Sequence, residues 1–213
     1  MRDWKTIEGY VRHLSTEGYE ELEQVWVESN AHREAHGEEC AIYPLDPDEG
    51  RLMLVLVRSL RAKRVLEIGC GLGYSALWLA RGLAPGGRVD TIENDPGHAA
   101  LARKNLESTP GGRAVRLLEG DELAITRGLR GKYDFVFHDS GWERFDELYE
   151  PMLARLKIGG LLVVSSIFPT HLGTETDAIA GTYEVTQRLF SDKRLESAIT
   201  QNAERLAVCV RIR

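Results

Sequence analysis

The sequence predicts an α/β fold: a doubly wound, seven-stranded, mostly parallel sheet with an antiparallel C-terminal hairpin and an N-terminal helical extension. Three observations predict it. Short apolar runs alternate with helical patterns from Val65 to about Phe190, the rhythm of strand–helix–strand units around a parallel sheet. The first run, Arg64 to Ile68, passes into the glycine-rich turn Gly69-Cys70-Gly71-Leu72-Gly73 and then directly into a helix. The last two runs, Leu195–Thr200 and Arg205–Ile212, are separated by Asn202-Ala203-Glu204, short enough for a hairpin turn.

Composition bounds what such a chain does. At 213 residues it is long enough to bury a sizeable core. The formal net charge of -6 counts against a sequence-blind nucleic-acid binder, which needs a basic surface. Cys40, Cys70 and Cys209 are odd in number and far apart, as reduced thiols of a cytoplasmic protein would be. No apolar run approaches the ~20 residues of a membrane span, so no membrane partner is expected.

Residues 1–46 read as a helical cap or dimerisation segment, and residues 47–213 as the main domain. Trp4, Ile7, Val11 and Leu14 recur at helical spacing; after a break at Gly18, Leu22, Val25 and Trp26 resume it. His32, His36 and Cys40 follow at four-residue intervals. They are not read as a metal site, because Gly37 ends the helix before Cys40 and no fourth ligand is visible in the sequence. Tyr43-Pro44-Leu45-Asp46-Pro47 is a loop, with Asp46 or Asp48 capping the helix from Glu49 to Leu60.

The first strand is Val65–Ile68 and its helix runs from Tyr74 to about Leu83. The spacing G-x-G-x-G, preceded by Glu67, departs from the dinucleotide fingerprint and suits a nucleoside ligand without a pyrophosphate, such as S-adenosylmethionine. The second strand, Arg88–Glu93, ends in an acid about 20 residues after the turn, where a carboxylate accepts two hydrogen bonds from a ribose cis-diol; Glu93 can also be read as a cap for the helix after Asp95-Pro96. The helix Pro96–Leu106, a Gly111-Gly112 turn and the third strand, Ala114–Leu118, follow. Gly120-Asp121-Glu122 closes that strand, with Asp121 capping the next helix, Glu122–Leu129.

The fourth strand, Tyr133–His138, ends at Asp139, which alternation turns toward the ligand crevice while His138 points under a helix. The helix Arg144–Leu156, a Gly159-Gly160 turn and the apolar fifth strand, Leu161–Ser165, come next. The loop Ser166–Gly173 leaves the carboxyl end of that strand and faces the same crevice. A helix from about Thr176 to Phe190 precedes the hairpin.

At this point the chain resembles the class I S-adenosylmethionine-dependent methyltransferases, and within them the O-methyltransferase family that contains catechol and caffeoyl-coenzyme A methyltransferases. The likeness runs from about Pro47 onward. It is carried by Val65-Leu66-Glu67-Ile68-Gly69, Gly73–Ala80, Thr91-Ile92-Glu93, Gly120-Asp121, Tyr133–Asp139 and Gly159–Val163, in that order. The resemblance implies that Gly69, Gly71 and Gly73, with Glu67 beside them, wrap the methionine part of the cofactor, and that Tyr74 and Ser75 add contacts there. It further implies Glu93 on the ribose, Asp121 and Glu122 beside the adenine, and Asp139 on the cofactor's amino group. In the family the last of these also binds a divalent metal.

Two departures bear on chemistry. The family's Asp-Asn at the end of the fifth strand is Ser165-Ser166 here, and Trp142 falls where a lysine usually stands near the acceptor hydroxyl. With Asp139 alone, no tightly bound metal is expected. Proton removal then needs a side chain, for which His171 is the first candidate and Asp139 the second; His171 is equally readable as an exposed loop histidine. Tyr43 and Trp142 are expected near the pocket. The expected activity is O-methylation of a small-molecule hydroxyl by a homodimer. The alternatives are methylation of a transfer-RNA nucleoside, with Arg58, Arg61, Lys63 and Arg64 as a basic groove, or cofactor binding without catalysis.

Overall fold

The computed structural model describes residues 5–37, 40–168, 173–201 and 205–213. Seven strands form one sheet: β1 (Arg64–Ile68), β2 (Arg88–Glu93), β3 (Val115–Glu119), β4 (Tyr133–His138), β5 (Leu156–Val164), β6 (Leu195–Ile199) and β7 (Ala207–Arg211). Their spatial order is β3-β2-β1-β4-β5-β7-β6. The first five run parallel, and β7 lies antiparallel to both β5 and β6. The C-terminal pair is thus antiparallel as expected, but the reversed strand is internal and β6 forms the edge. The proposed hairpin turn, Asn202-Ala203-Glu204, lies outside the described residues.

Alternation sorts the central strands onto two apolar layers. Val65, Phe135, Phe137, Leu161 and Val163 face one cluster, which also holds Leu22, Val25, Met53 and Trp78. Leu66, Ile68, Val136, Leu162 and Val164 face the other, with Phe145, Tyr149 and Leu189. Both faces of a parallel sheet are covered, which is why its strands read as nearly continuous apolar runs.

The helices are α1 (Ile7–Thr16), α2 (Glu23–His36), α3 (Pro47–Ser59), α4 (Tyr74–Gly82), α5 (Pro96–Ser108), α6 (Glu122–Gly128), α7 (Phe145–Arg155) and α8 (Glu175–Ser191). Gly18 breaks the N-terminal segment at φ +80°. Asp46 caps α3 in a capping box with Glu49, whose Oε2 accepts the Asp46 N–H at 3.1 Å. Leu22 and Val25 are buried as expected, but Ile7 is 84 % exposed, and Tyr10, Val11 and Leu14 are also exposed. The α1 stripe therefore faces away from the core of its own chain.

Most boundaries shift by one or two residues, and the largest difference is at β5. Gly159-Gly160, expected as a turn before the fifth strand, lies within β5, which begins directly at the end of α7. Gly159 takes φ +79°, and the register slips between the Tyr133–Leu156 and Phe135–Leu161 pairs. An ideal Cβ on Gly160 would stand 2.7 Å from the Asp134 carbonyl oxygen, so only glycine fits that approach.

Candidate active site

The turn after β1 is built for close approach. Gly69, Gly71 and Gly73 all have positive φ, and the Gly69 and Cys70 N–H groups both donate to the Ile92 carbonyl, at 3.1 and 3.0 Å. An ideal Cβ at Gly69 would lie 2.3 Å from the Asp139 carbonyl oxygen, which joins the ends of β1 and β4. Asn105 braces the turn from α5 by donating to the Leu72 carbonyl at 3.1 Å.

This turn floors a cavity of about 400 Å³ at the carboxyl ends of the strands, within the ordinary range for small-ligand sites. Gly69, Gly71, Tyr74, Ser75, Glu93, Glu122 and Asp139 all line it. The opposite wall is the segment Cys40–Leu45, including Tyr43, whose ring stacks under the Arg33 guanidinium.

Glu93 is held from both sides. Its Oε2 accepts the Gly71 N–H at 2.7 Å and its Oε1 accepts the Asp95 N–H at 2.9 Å. The carboxylate is nearly buried yet borders the cavity, with lone pairs left for a diol. The N-cap of α5 is Asp95, not Glu93.

Glu67 stands behind the turn rather than on the cavity wall. It is fully buried and accepts the Thr91 hydroxyl at 2.5 Å. Burial pushes its carboxyl up to about 8; hydrogen bonds from Thr91 and Ser75 pull it down, and the Asp139 and Glu93 charges push it further up. Gly73 is the N-cap of α4 and likewise lies off the lining.

Asp121 caps α6, accepting the Ala124 N–H at 2.7 Å, and pairs with Arg144 at 2.6 Å. Arg144, then the cap, hold its carboxyl below the usual range. It is half exposed and off the cavity wall, whereas the adjacent Glu122 is on it. Glu122 accepts the Ser140 hydroxyl at 2.8 Å and is raised chiefly by burial.

Asp139 is fixed by its N–H donating to the Ile68 carbonyl at 2.8 Å and by the Ser165 hydroxyl, which donates to its Oδ1. His138 turns away from the cavity: it is buried edge-on against Phe145, ring centroids 5.3 Å apart, and burial pushes it down to about 4. Trp142, expected near the pocket, instead packs against the apolar layer that holds Phe145. His171 lies outside the described residues.

Two of the four residues of the expected basic groove are engaged within the fold. Arg58 donates to the Arg81 carbonyl at 2.9 Å, and Arg64 donates to the Arg130 carbonyl and pairs with Asp90. Arg88 and Arg116 also pair with Asp90, which is buried under the Tyr133 hydroxyl.

His32, His36 and Cys40 are brought together despite the helix ending at Gly37: one ligand atom from each lies within 4.8 Å of the others. Burial lowers the His32 imidazole, with His36 and His98 adding to that effect. Sequence reading missed Ser140 and His98, since neither belongs to a motif; both reach the site through the turns after β4 and β2. No helix among the described residues is long and apolar enough to cross a membrane.

A family model described as O-methyltransferase matches residues 15–212, reaching back into α1. A catechol O-methyltransferase of Niastella koreensis is 32% identical over 127 residues, 58% of either chain. One of Mycobacterium tuberculosis is 35% identical over 120 residues, 56% of this chain and 54% of the relative. The match thus spans little more than half the length of these relatives. An O-methyltransferase from Bacillus cereus in complex with SAH superposes with a TM-score of 0.76 at 23% identity, covering 90% of each chain. The Streptomyces achromogenes O-methyltransferase TomG, in complex with SAM and involved in tomaymycin synthesis, gives 0.74 at 25% identity, over 90% of this chain and 89% of that one.

Proposed function

The chain belongs to the O-methyltransferase family, and we propose that it methylates a hydroxyl of a small molecule from S-adenosylmethionine, without a tightly bound metal at Asp139. The observation that carries the reading is the doubly anchored Glu93 carboxylate, facing one cavity with the glycine turn and Asp139. An ideal Cβ on Gly71 would come within 3.2 Å of Ile42 across that cavity, so the bare turn keeps open a cradle that a side chain would fill. A nucleoside diol at Glu93 and an ammonium at Asp139 match the charges available.

When bound, S-adenosylmethionine supplies a methyl carbon already activated by its sulfonium. The chain's own work is to hold that donor, seat the acceptor against the Cys40–Leu45 wall and exclude water, so that nucleophile, methyl and sulfur align. Proton removal falls to His171 or Asp139; His138 is unsuited, being buried against Phe145 away from the cavity. Against a metal stands the donor set itself. One carboxylate, itself held by Ser165, beside the hydroxyls of Ser165 and Ser166 is poor ligation for a hard divalent cation.

The test is calorimetry with S-adenosylmethionine, followed by methyl transfer to catechol-type acceptors with and without chelator. Cofactor binding with chelator-insensitive transfer is expected. Chelator-abolished transfer that Mg²⁺ alone restores would overturn the assignment at Asp139, and binding without transfer to any acceptor would favour a non-catalytic role. The homodimer we propose would cover the exposed α1 face; a monomer by sedimentation at high concentration would refute it.

A further inference from the structure

A cluster of soft-to-borderline donors stands at the rim of the cavity, outside the cofactor contacts. His32 and His36 lie one turn apart on α2. Their rings stack with centroids 4.2 Å apart. Gly37, at φ +69°, ends the helix, and Cys40 comes back against the same face. The donor atoms of these three residues lie within 4.8 Å of one another. A fourth comes from a distant part of the chain: His98, in the first turn of α5, places Nε2 3.6 Å from the Cys40 Sγ. Its ring meets that of His32 edge-on at 5.2 Å.

We infer that His32, His36, Cys40 and His98 form a tetrahedral zinc site that clasps the helical extension to the nucleotide half of the domain. A zinc ion with sulfur at about 2.3 Å and nitrogen at about 2.0–2.1 Å requires a sulfur–nitrogen edge of about 3.6 Å. The Cys40–His98 pair already stands at that separation. The His32, His36 and Cys40 donors, within 4.8 Å of one another, would draw in toward that separation, and His98 would turn toward the two α2 imidazoles.

The ring orientations suit the assignment. The His36 Nδ1 is 2.8 Å from the His32 carbonyl, which takes up that nitrogen and leaves Nε2 for a ligand. The His98 Nδ1 side faces Asp95 Oδ1 at 3.9 Å, while Nε2 faces the thiol. A set of one thiolate and three imidazoles selects zinc or another late first-row ion over magnesium or calcium, which prefer oxygen. Binding releases the Cys40 thiol proton to solvent.

Both Cys40 and His98 border the cavity, beside Asp95, whose N–H holds Glu93. The ion would therefore tie the cavity's outer wall to the ribose side. This differs in place and donor type from any metal at Asp139.

The test uses the full chain stripped with chelator and titrated with Co²⁺, then with Zn²⁺. Expected are one ion per chain, a thiolate-to-cobalt charge-transfer band, intense visible bands of tetrahedral cobalt, and a zinc-dependent rise in melting temperature. Cys40→Ser should abolish the charge-transfer band, and His98→Ala and His36→Gln should each weaken binding at least tenfold. His36 is exposed, so His36→Gln keeps the test valid if the other variants fold poorly. No stoichiometric binding, weak octahedral bands without charge transfer, or unchanged affinity in His36→Gln would each overturn the site.

Discussion

Replacing Gly69 by alanine isolates how closely the ends of β1 and β4 must approach. Gly69 has φ +92°, and its added Cβ would meet the Asp139 carbonyl oxygen at 2.3 Å, the Asp139 carbonyl carbon at 2.7 Å and the Ser140 nitrogen at 3.0 Å. All three are backbone atoms, so relief requires the two turns to part. The left-handed backbone alone costs an L-residue about 1–2 kcal/mol. Forcing packed backbone apart adds about 1–3 kcal/mol. Gly86 supplies the control, with φ +75° and no described atom within 4 Å of its added Cβ. At about 2–4 °C per kcal/mol for a chain of this size, Gly86→Ala should melt about 2–8 °C lower and Gly69→Ala about 4–20 °C lower. Calorimetry should also find S-adenosylmethionine affinity kept in Gly86→Ala and lost in Gly69→Ala, because Asp139 moves with the turn. Equal melting of the two variants, with undiminished affinity in both, would refute the reasoning.

Other perturbations probe the buried charges. Glu67, pushed up to about 8 from an ordinary 4.5, stays protonated in the fold while the unfolded chain ionises. Stability should then fall as pH rises from about 4.5 to about 8, by an amount on the order of 5 kcal/mol. Glu67→Gln should flatten that slope in urea melts, and an unchanged slope would count against the assignment. His138, pushed down to about 4, acts in the opposite direction: stability should be full above about 6.5 and drop as pH falls toward 4, by roughly 3 kcal/mol. Its imidazole resonances should not titrate above about pH 5, and a midpoint near 6.5 would contradict the burial. Glu93→Gln should weaken S-adenosylmethionine binding about 10- to 100-fold, the worth of a charge-assisted hydrogen-bond pair, and an unaltered affinity would remove Glu93 from the ribose.

The middle of the sheet was legible in the sequence because β1, β4 and the second half of β5 are covered on both faces and read as short apolar runs. The glycine turn and Glu93 were legible for a related reason: backbone shape and an acid at a strand end mark position as well as chemistry. Three things were not. The Gly159-Gly160 pair looked like a turn, since nothing local reports that Gly160 presses on the Asp134 carbonyl. Nor was it legible that Glu67 and Asp121, expected beside the cofactor, lie off the cavity wall, one beneath Thr91 and the other held by a helix cap and Arg144. The approach of His98 to Cys40 joins residues that no periodicity connects; it exists because α5 begins beside the loop that leaves α2.

The strand order has a consequence during synthesis. β7 fills the gap between β5 and β6, so the interior of the sheet is closed by the last strand to emerge. Until then the β5 edge, Leu161 to Val164, presents an unpaired apolar ribbon able to recruit another chain. Roughly 40 residues separate the two strands, and at about 5–20 residues per second that window lasts about 2–8 s. Aggregation should therefore rise with the density of nascent chains, and a holdase present during synthesis should raise the soluble yield by covering the β5 edge.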